Sequence, residues 1–188
     1  CTTRLFLCAE RLDGCGMKIF YYRRRDGQPN FGDELNTWLW PRLLPGFFDD
    51  DESTQFIGTG TLLNHRLIER TTAAQRLIIV SSGAGYEHPL SQVPAHWNIL
   101  CVRGPLSARR LKLPPQKAIT DGGILVRQCF FASGPKTVKY AFMPHIHHAN
   151  FADVVWKIIC QEIGIGYIDP SWPVEQVLDS ISGTEVLL

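Results

Sequence analysis

The side chains with chemistry to offer stand just after short apolar runs. In P-N-F-G-D-E-L-N, residues 29–36, the run I-F-Y-Y (19–22) gives way to a turn that opens a helix, and Asp33 and Glu34 sit at its start. A helix N-terminus that receives an anion keeps bare N–H groups and glycines at that point. Two acids there serve one of two ends. They complement the helix dipole, or they accept hydrogen bonds from a polyhydroxylated ligand and take a proton from one of its hydroxyls. The residues alone leave both open.

Four more turns follow the same rule. G-T-G-T (58–61), S-S-G-A-G-Y (81–86), R-G-P-L-S (103–107) and D-G-G (121–123) each end an apolar run. For a single loop, Gly58, Gly60, Gly83 or Gly85 means no more than a tight strand-to-helix turn. Four such loops on one rim leave backbone N–H groups open toward a common ligand. G-T-G-T-L-L lacks the third glycine and the distant acid of a dinucleotide fingerprint. Arg103 directly follows a strand, so its guanidinium points into the rim, where a planar fork suits a carboxylate or a phosphate. The alternative is a structural pair with Asp121. P-H-I-H-H (144–148) carries three histidines, but no cysteine or carboxylate lies at ligand spacing. An imidazole, His145 first, beside a cleft ligand is preferred to a metal. Arg23, Arg24 and Arg25 read as a largely solvated run whose place beside the rim makes it a minor candidate for binding an anion.

The elements that must position these residues alternate. Strands are predicted over 18–22, 55–57, 76–80, 99–102 and 118–120, and helices over 34–43, 62–72 and 105–111. Strands with helices between them form a parallel sheet covered on both faces. A composition break at 128–137, with S-G-P inside it, reads as a linker. The pattern then restarts: strand 138–143, helix 151–163, strand 166–168, helix 173–181 and a buried strand over 185–188. The fold class is α/β, with a Rossmann-like domain over 17–127, a linker, and the beginning of a second over 138–188. Ligands bind at the carboxyl ends of such strands.

Composition narrows the function classes. The chain has 188 residues, 45% hydrophobic, and a net charge of +1, which gives no basic surface for nucleic acid. No run reaches the roughly 20 apolar residues of a membrane span. Cys1, Cys8, Cys15, Cys101, Cys129 and Cys160 form no C-x-x-C pair and read as reduced cytosolic thiols. Residues 1–16 read as a non-native or disordered extension, because Met17 opens a better strand.

In this order N-F-G-D-E-L-N, G-T-G-T, G-A-G-Y, V-R-G-P-L-S-A-R-R-L and T-D-G-G resemble the polysaccharide pyruvyl transferase family. Y-I-D-P and V-E-Q-V-L, further on, are similar to its exopolysaccharide, succinoglycan-type, ketal-forming members. The resemblance covers residues 17–188 and implies a GT-B-like pair of Rossmann-like domains with the site between them. It implies transfer of the pyruvyl unit of phosphoenolpyruvate, a donor substrate rather than a cofactor, onto two hydroxyls of one sugar. The acceptor is a saccharide, lipid-linked or free. No metal and no nucleic acid is implied, the location is cytoplasmic, and peripheral membrane contact is compatible with it. Arg103 matches an arginine implied to contact phosphoenolpyruvate. Asn30, Gly32, Asp33 and Glu34 match a motif placed on the acceptor side.

The family carries a serine-and-histidine segment after a strand like 184–188, implied to bind or protonate the donor. The chain stops before it, so the general acid is expected beyond Leu188 and the chain alone is expected to be inactive. Two further readings compete: a GT-B glycosyltransferase using a nucleotide sugar, and a non-catalytic sugar- or anion-binding relic.

Overall fold

The structure, a computed structural model, describes residues 16–132 and 134–188. Apart from Gly16, the extension expected over 1–16 lies outside the described residues, as do Cys1, Cys8 and Cys15. The first sheet contains β1 (Lys18–Phe20), β2 (Thr54–Ile57), β3 (Arg76–Ser82) and β4 (Trp97–Val102), in the order β1-β2-β3-β4, all parallel. Its strands are apolar on successive residues because both faces are covered. Ile57, Leu77 and Ile79 pack on one side with Leu63, Leu67 and Ala108, which come from α2 (His65–Arg70), α3 (Pro105–Arg110) and the turn before α2. Phe56, Ile78 and Val80 face the other way, against Trp40 of α1 (Phe31–Leu43). Side-chain alternation along the strands thus assigns the helices to the two faces. Each fully buried Leu, Ile or Phe contributes about 1.5–3 kcal/mol here.

The expected strand at 118–120 shrinks to one bridge, Val102 to Ala118. A 3-10 turn at Pro115–Lys117 delivers the chain late, and a second at Gly122–Gln128, unforeseen in the sequence, takes it away at once. Helix 62–72 is likewise cut to His65–Arg70. Asn64 caps it by accepting from the Arg66 N–H at 3.1 Å, so Leu62 and Leu63 lie before the first turn.

A second parallel sheet, order β6-β5-β7, follows from β5 (Val138–Phe142), β6 (Gly166–Tyr167) and β7 (Thr184–Leu187), with α4 (Ile146–Glu162) and α5 (Val174–Ser182) between them. α4 begins earlier than expected and breaks at Ala152 (φ −144°, ψ 31°), so the histidines of 144–148 open a helix rather than forming a loop. The last strand is not the buried one expected. Thr184 is buried, but Val186 and Leu187 are 43% and 44% exposed. β7 buries its first residue against α5, where the Thr184 hydroxyl donates to the Ser180 carbonyl at 2.8 Å, and leaves the rest at the surface.

α1 ties the two sheets together. Its Phe31 N–H donates to the Pro170 carbonyl at 2.8 Å, Leu35 and Leu39 pack with Val174 and Leu178 of α5, and Arg42 pairs with Glu175 at 3.0 Å. The N-terminus of α1 is therefore fixed by β6–α5 as well as by the first sheet. Among the described residues no helix is long and apolar enough to cross a membrane.

Candidate functional site

A cavity of about 490 Å³ opens at the carboxyl edge of the first sheet. Its walls come from the residues after β1, the start of α1, the β2–α2 turn, one face of α2, the turn after β3, Arg103, Asp121 and the start of α4. The volume falls in the ordinary range of small-molecule sites.

Arg103 forms part of the wall. β3 carries a bulge at Ser81, a non-glycine residue at φ 67°, before Ser82 pairs with Val102. Bulges next to sites re-aim the chain, and here the Arg103 N–H donates to the Ser82 carbonyl at 3.1 Å. The side chain then lies against bare backbone, since a Cβ on Gly83 would stand 3.1 Å from Arg103 Cζ. Arg103 Nη1 donates to Thr61 Oγ1 at 2.8 Å, and Nε stands 2.8 Å from Asp121 Oδ2. That contact is a close ion pair with the N–H directed off the oxygen, because Nε has no aligned acceptor. Asp121 in turn accepts from the Gly123 N–H at 2.9 Å. The structural pair with Asp121 is thus present. It leaves Nη2 without a partner among the described residues, on a side chain that lines the cavity.

Asp33 stands in the wall made by α1. Its carboxylate accepts from Asn30 Nδ2 at 2.8 Å. Burial is the main reason its carboxyl is held above the usual range; the Asn30 hydrogen bond opposes this, the Glu34 charge adds to it, and Arg24 and His145 draw it back. Glu34, its neighbour, turns away from the cavity lining and accepts from the Tyr21 hydroxyl at 3.3 Å. The two acids of the opening motif therefore have separate surroundings.

Of the residues singled out in the sequence, Asn30, Gly32, Asp33, Gly60, Arg103, Asp121 and His145 line the cavity. Glu34, Gly58, Gly83 and Gly85 do not. Gly58 is packed under α1, where a Cβ would meet Trp40 Nε1 at 2.0 Å and Asn36 Oδ1 at 2.4 Å. The Gly83 N–H donates to the Gly60 carbonyl at 2.8 Å and the Ala84 N–H to Ser107 Oγ at 3.1 Å. Those N–H groups hold turn to turn and are not open to a ligand. His145 caps α4 through Nδ1, which accepts from the His147 N–H at 3.3 Å. Among the described residues no group of three metal-ligating side chains converges.

Sequence reasoning missed Arg66, Arg70 and Tyr86, and it gave Arg24 only a minor place as an anion contact within a largely solvated run; all four line the cavity. Arg66 pairs with Glu87 at 3.0 Å, Arg70 lies 5.1 Å over the Tyr22 ring, and Arg24 Nη1 stands 3.4 Å from His147 Nδ1. The available signal was the four-residue spacing of Arg66 and Arg70, which puts both on one helical face beside inward-facing Leu67. The lining holds four arginines against the acids Asp33, Glu87 and Asp121, a balance suited to an anionic ligand that also offers hydroxyls.

Fold and site together define an α/β protein with a polar, arginine-rich cavity at the carboxyl edge of its parallel sheet. Over 174 residues, 92% of its length, the chain is 36% identical to the succinoglycan biosynthesis protein ExoV of Rhizobium meliloti (strain 1021), and the match spans 53% of that protein. The match agrees with the resemblance that the chain's motifs bear to the polysaccharide pyruvyl transferase family, and the chain spans about half the length of the curated relative it matches. No family model and no solved structure matches it.

Proposed function

We propose that the whole protein carries the pyruvyl unit of phosphoenolpyruvate onto two hydroxyls of one sugar during exopolysaccharide synthesis, and that this chain supplies one side of its site. The observation behind this reading is that one cavity holds Arg103, whose Nη2 has no partner among the described residues, and Asp33, a carboxyl raised by burial. The likeness to a succinoglycan biosynthesis protein agrees with it.

The chemistry needs both groups. Phosphoenolpyruvate carries a carboxylate and a phosphate, which a guanidinium binds through paired hydrogen bonds. A proton on its methylene carbon makes the methyl group and leaves an oxocarbenium-like centre at C2. One sugar hydroxyl adds there, a second displaces the phosphate, and the two hydroxyl protons balance the methyl and the released phosphate. A carboxylate raised above its usual range is the stronger base for a sugar hydroxyl, which is the role assigned to Asp33. Asn30 holds it in place. The two sheets act as the facing halves of a GT-B-like pair, with the donor's metabolic origin placing the reaction in the cytoplasm.

The test is to incubate the whole protein with phosphoenolpyruvate and an oligosaccharide prepared from succinoglycan. The expected result is one phosphate released per ketal formed, the ketal read from its methyl signal by NMR. Sugar transfer from a nucleotide sugar, with phosphoenolpyruvate untouched, refutes the proposal and selects the glycosyltransferase reading.

A further inference from the structure

We propose that Tyr86 is the platform on which a pyranose ring of the acceptor stacks, an inference that rests on the saccharide reading of the cavity. Tyr86 lines the cavity, yet its side chain is 88% exposed, and among the described residues its hydroxyl has no hydrogen-bond partner. The fold gains little from the ring itself. The backbone is nonetheless held in an unfavourable state to present it. Tyr86 sits at φ 61°, the left-handed region that bulky residues avoid. Such outliers persist where the surroundings over-determine them and cluster at ligand clamps.

The surroundings here do so without touching the phenol. Just before it, the Ala84 N–H donates to Ser107 Oγ at 3.1 Å. Just after it, the Glu87 N–H donates to the Gly85 carbonyl at 2.9 Å, the Glu87 carbonyl accepts from Arg110 Nη2 at 2.8 Å, and the Glu87 carboxylate pairs with Arg66 at 3.0 Å. The turn is fixed on both sides and the ring left bare. A bare aromatic face beside charged, hydrogen-bonding side chains matches a pyranose, whose ring C–H bonds give one apolar face while its hydroxyls point outward. Arg66 and Glu87, paired with each other at 3.0 Å in the lining of the same cavity, are the polar groups to meet those hydroxyls. An apolar ligand would call for apolar walls, and a small anion has no use for an aromatic face.

The test compares wild type, Tyr86→Ala, Tyr86→Gly and Tyr86→Trp in the whole protein, with a succinoglycan oligosaccharide and phosphoenolpyruvate as separate probes. Tyr86→Ala and Tyr86→Gly are expected to weaken the oligosaccharide at least tenfold, about 1.4 kcal/mol, and to leave phosphoenolpyruvate within twofold. Tyr86→Trp keeps saccharide binding. Glycine accepts the left-handed backbone, so Tyr86→Gly keeps or raises the melting temperature while affinity falls, a split that a merely structural role does not produce. Oligosaccharide binding by Tyr86→Ala within twofold of wild type overturns this proposal alone. Equal weakening of both probes also overturns it. A wild-type protein that binds phosphoenolpyruvate and no oligosaccharide overturns the saccharide reading and this proposal with it.

Discussion

Two of the cavity's three acids, Asp121 and Asp33, stand on different elements and live differently. Asp121, beside the first sheet, lies 2.8 Å from the Arg103 guanidinium and accepts a backbone N–H. Asp33, at the start of α1, has an amide donor from Asn30 and is pushed upward by burial. One carboxylate orients a cation and the other stays reactive toward a proton. Under the proposed function this difference divides the cavity into an anion-holding side and a hydroxyl-handling side.

The largest effect belongs to Arg103. Arg103→Ala removes the fork and leaves Asp121 without its counter-ion; kcat/KM for phosphoenolpyruvate is expected to fall about 10²–10³-fold, as when one pre-aligned donor is lost. Arg103→Lys recovers only part of it, because an ammonium cannot make the paired contact. Steady-state kinetics on the whole protein decide this. Next comes Asp33→Asn, expected to cost about 10²-fold in acceptor turnover, near the lower end for a lost acid–base group. The acidic limb of the wild-type pH–rate profile is expected to be displaced upward, in the direction of the Asp33 shift, and Asp33→Asn is expected to abolish that limb.

A third change leaves the chemistry alone. Gly58→Ala drives a Cβ to 2.0 Å from Trp40 Nε1, and overpacking of this kind destabilises by about 1–3 kcal/mol. Thermal unfolding reads it, and a well-tolerated Gly58→Ala would return Gly58 to the site. The smallest effect tests linkage. Because burial raises the Asp33 carboxyl in the folded state, the folded protein keeps that proton longer than the unfolded chain. The matching stability is present at low pH and is lost as pH rises through the folded value. Asp33→Asn removes that loss, so its melting temperature relative to wild type is higher at pH 7 than at pH 4.

The alternation of β and α was legible because a parallel sheet with covered faces leaves strands apolar and helices amphipathic. The rim was legible for the same reason, since polar residues directly after an apolar run lie at the carboxyl edge. What the sequence hid depends on tertiary placement. The Gly58 turn reads like a ligand loop, and only the packing of α1 reveals Trp40 above it. Arg24 looks like one of three solvated arginines until His147 is brought to it from 123 residues away. Arg66 and Arg70 share a helical face, but which side of α2 meets the cavity follows from burial of Leu67. Tyr86 carries no periodic signal, for it is placed by a left-handed turn.

The division of the cavity stands or falls on a two-by-two comparison in the whole protein: Arg103→Ala and Asp33→Asn, each assayed against phosphoenolpyruvate and against the saccharide acceptor. The account predicts a crossed result. Arg103→Ala weakens phosphoenolpyruvate most, while Asp33→Asn lowers acceptor kcat/KM about a hundredfold and keeps phosphoenolpyruvate affinity within about twofold. If both variants weaken the same substrate to the same degree, the two carboxylates do not mark two sides and the account is contradicted.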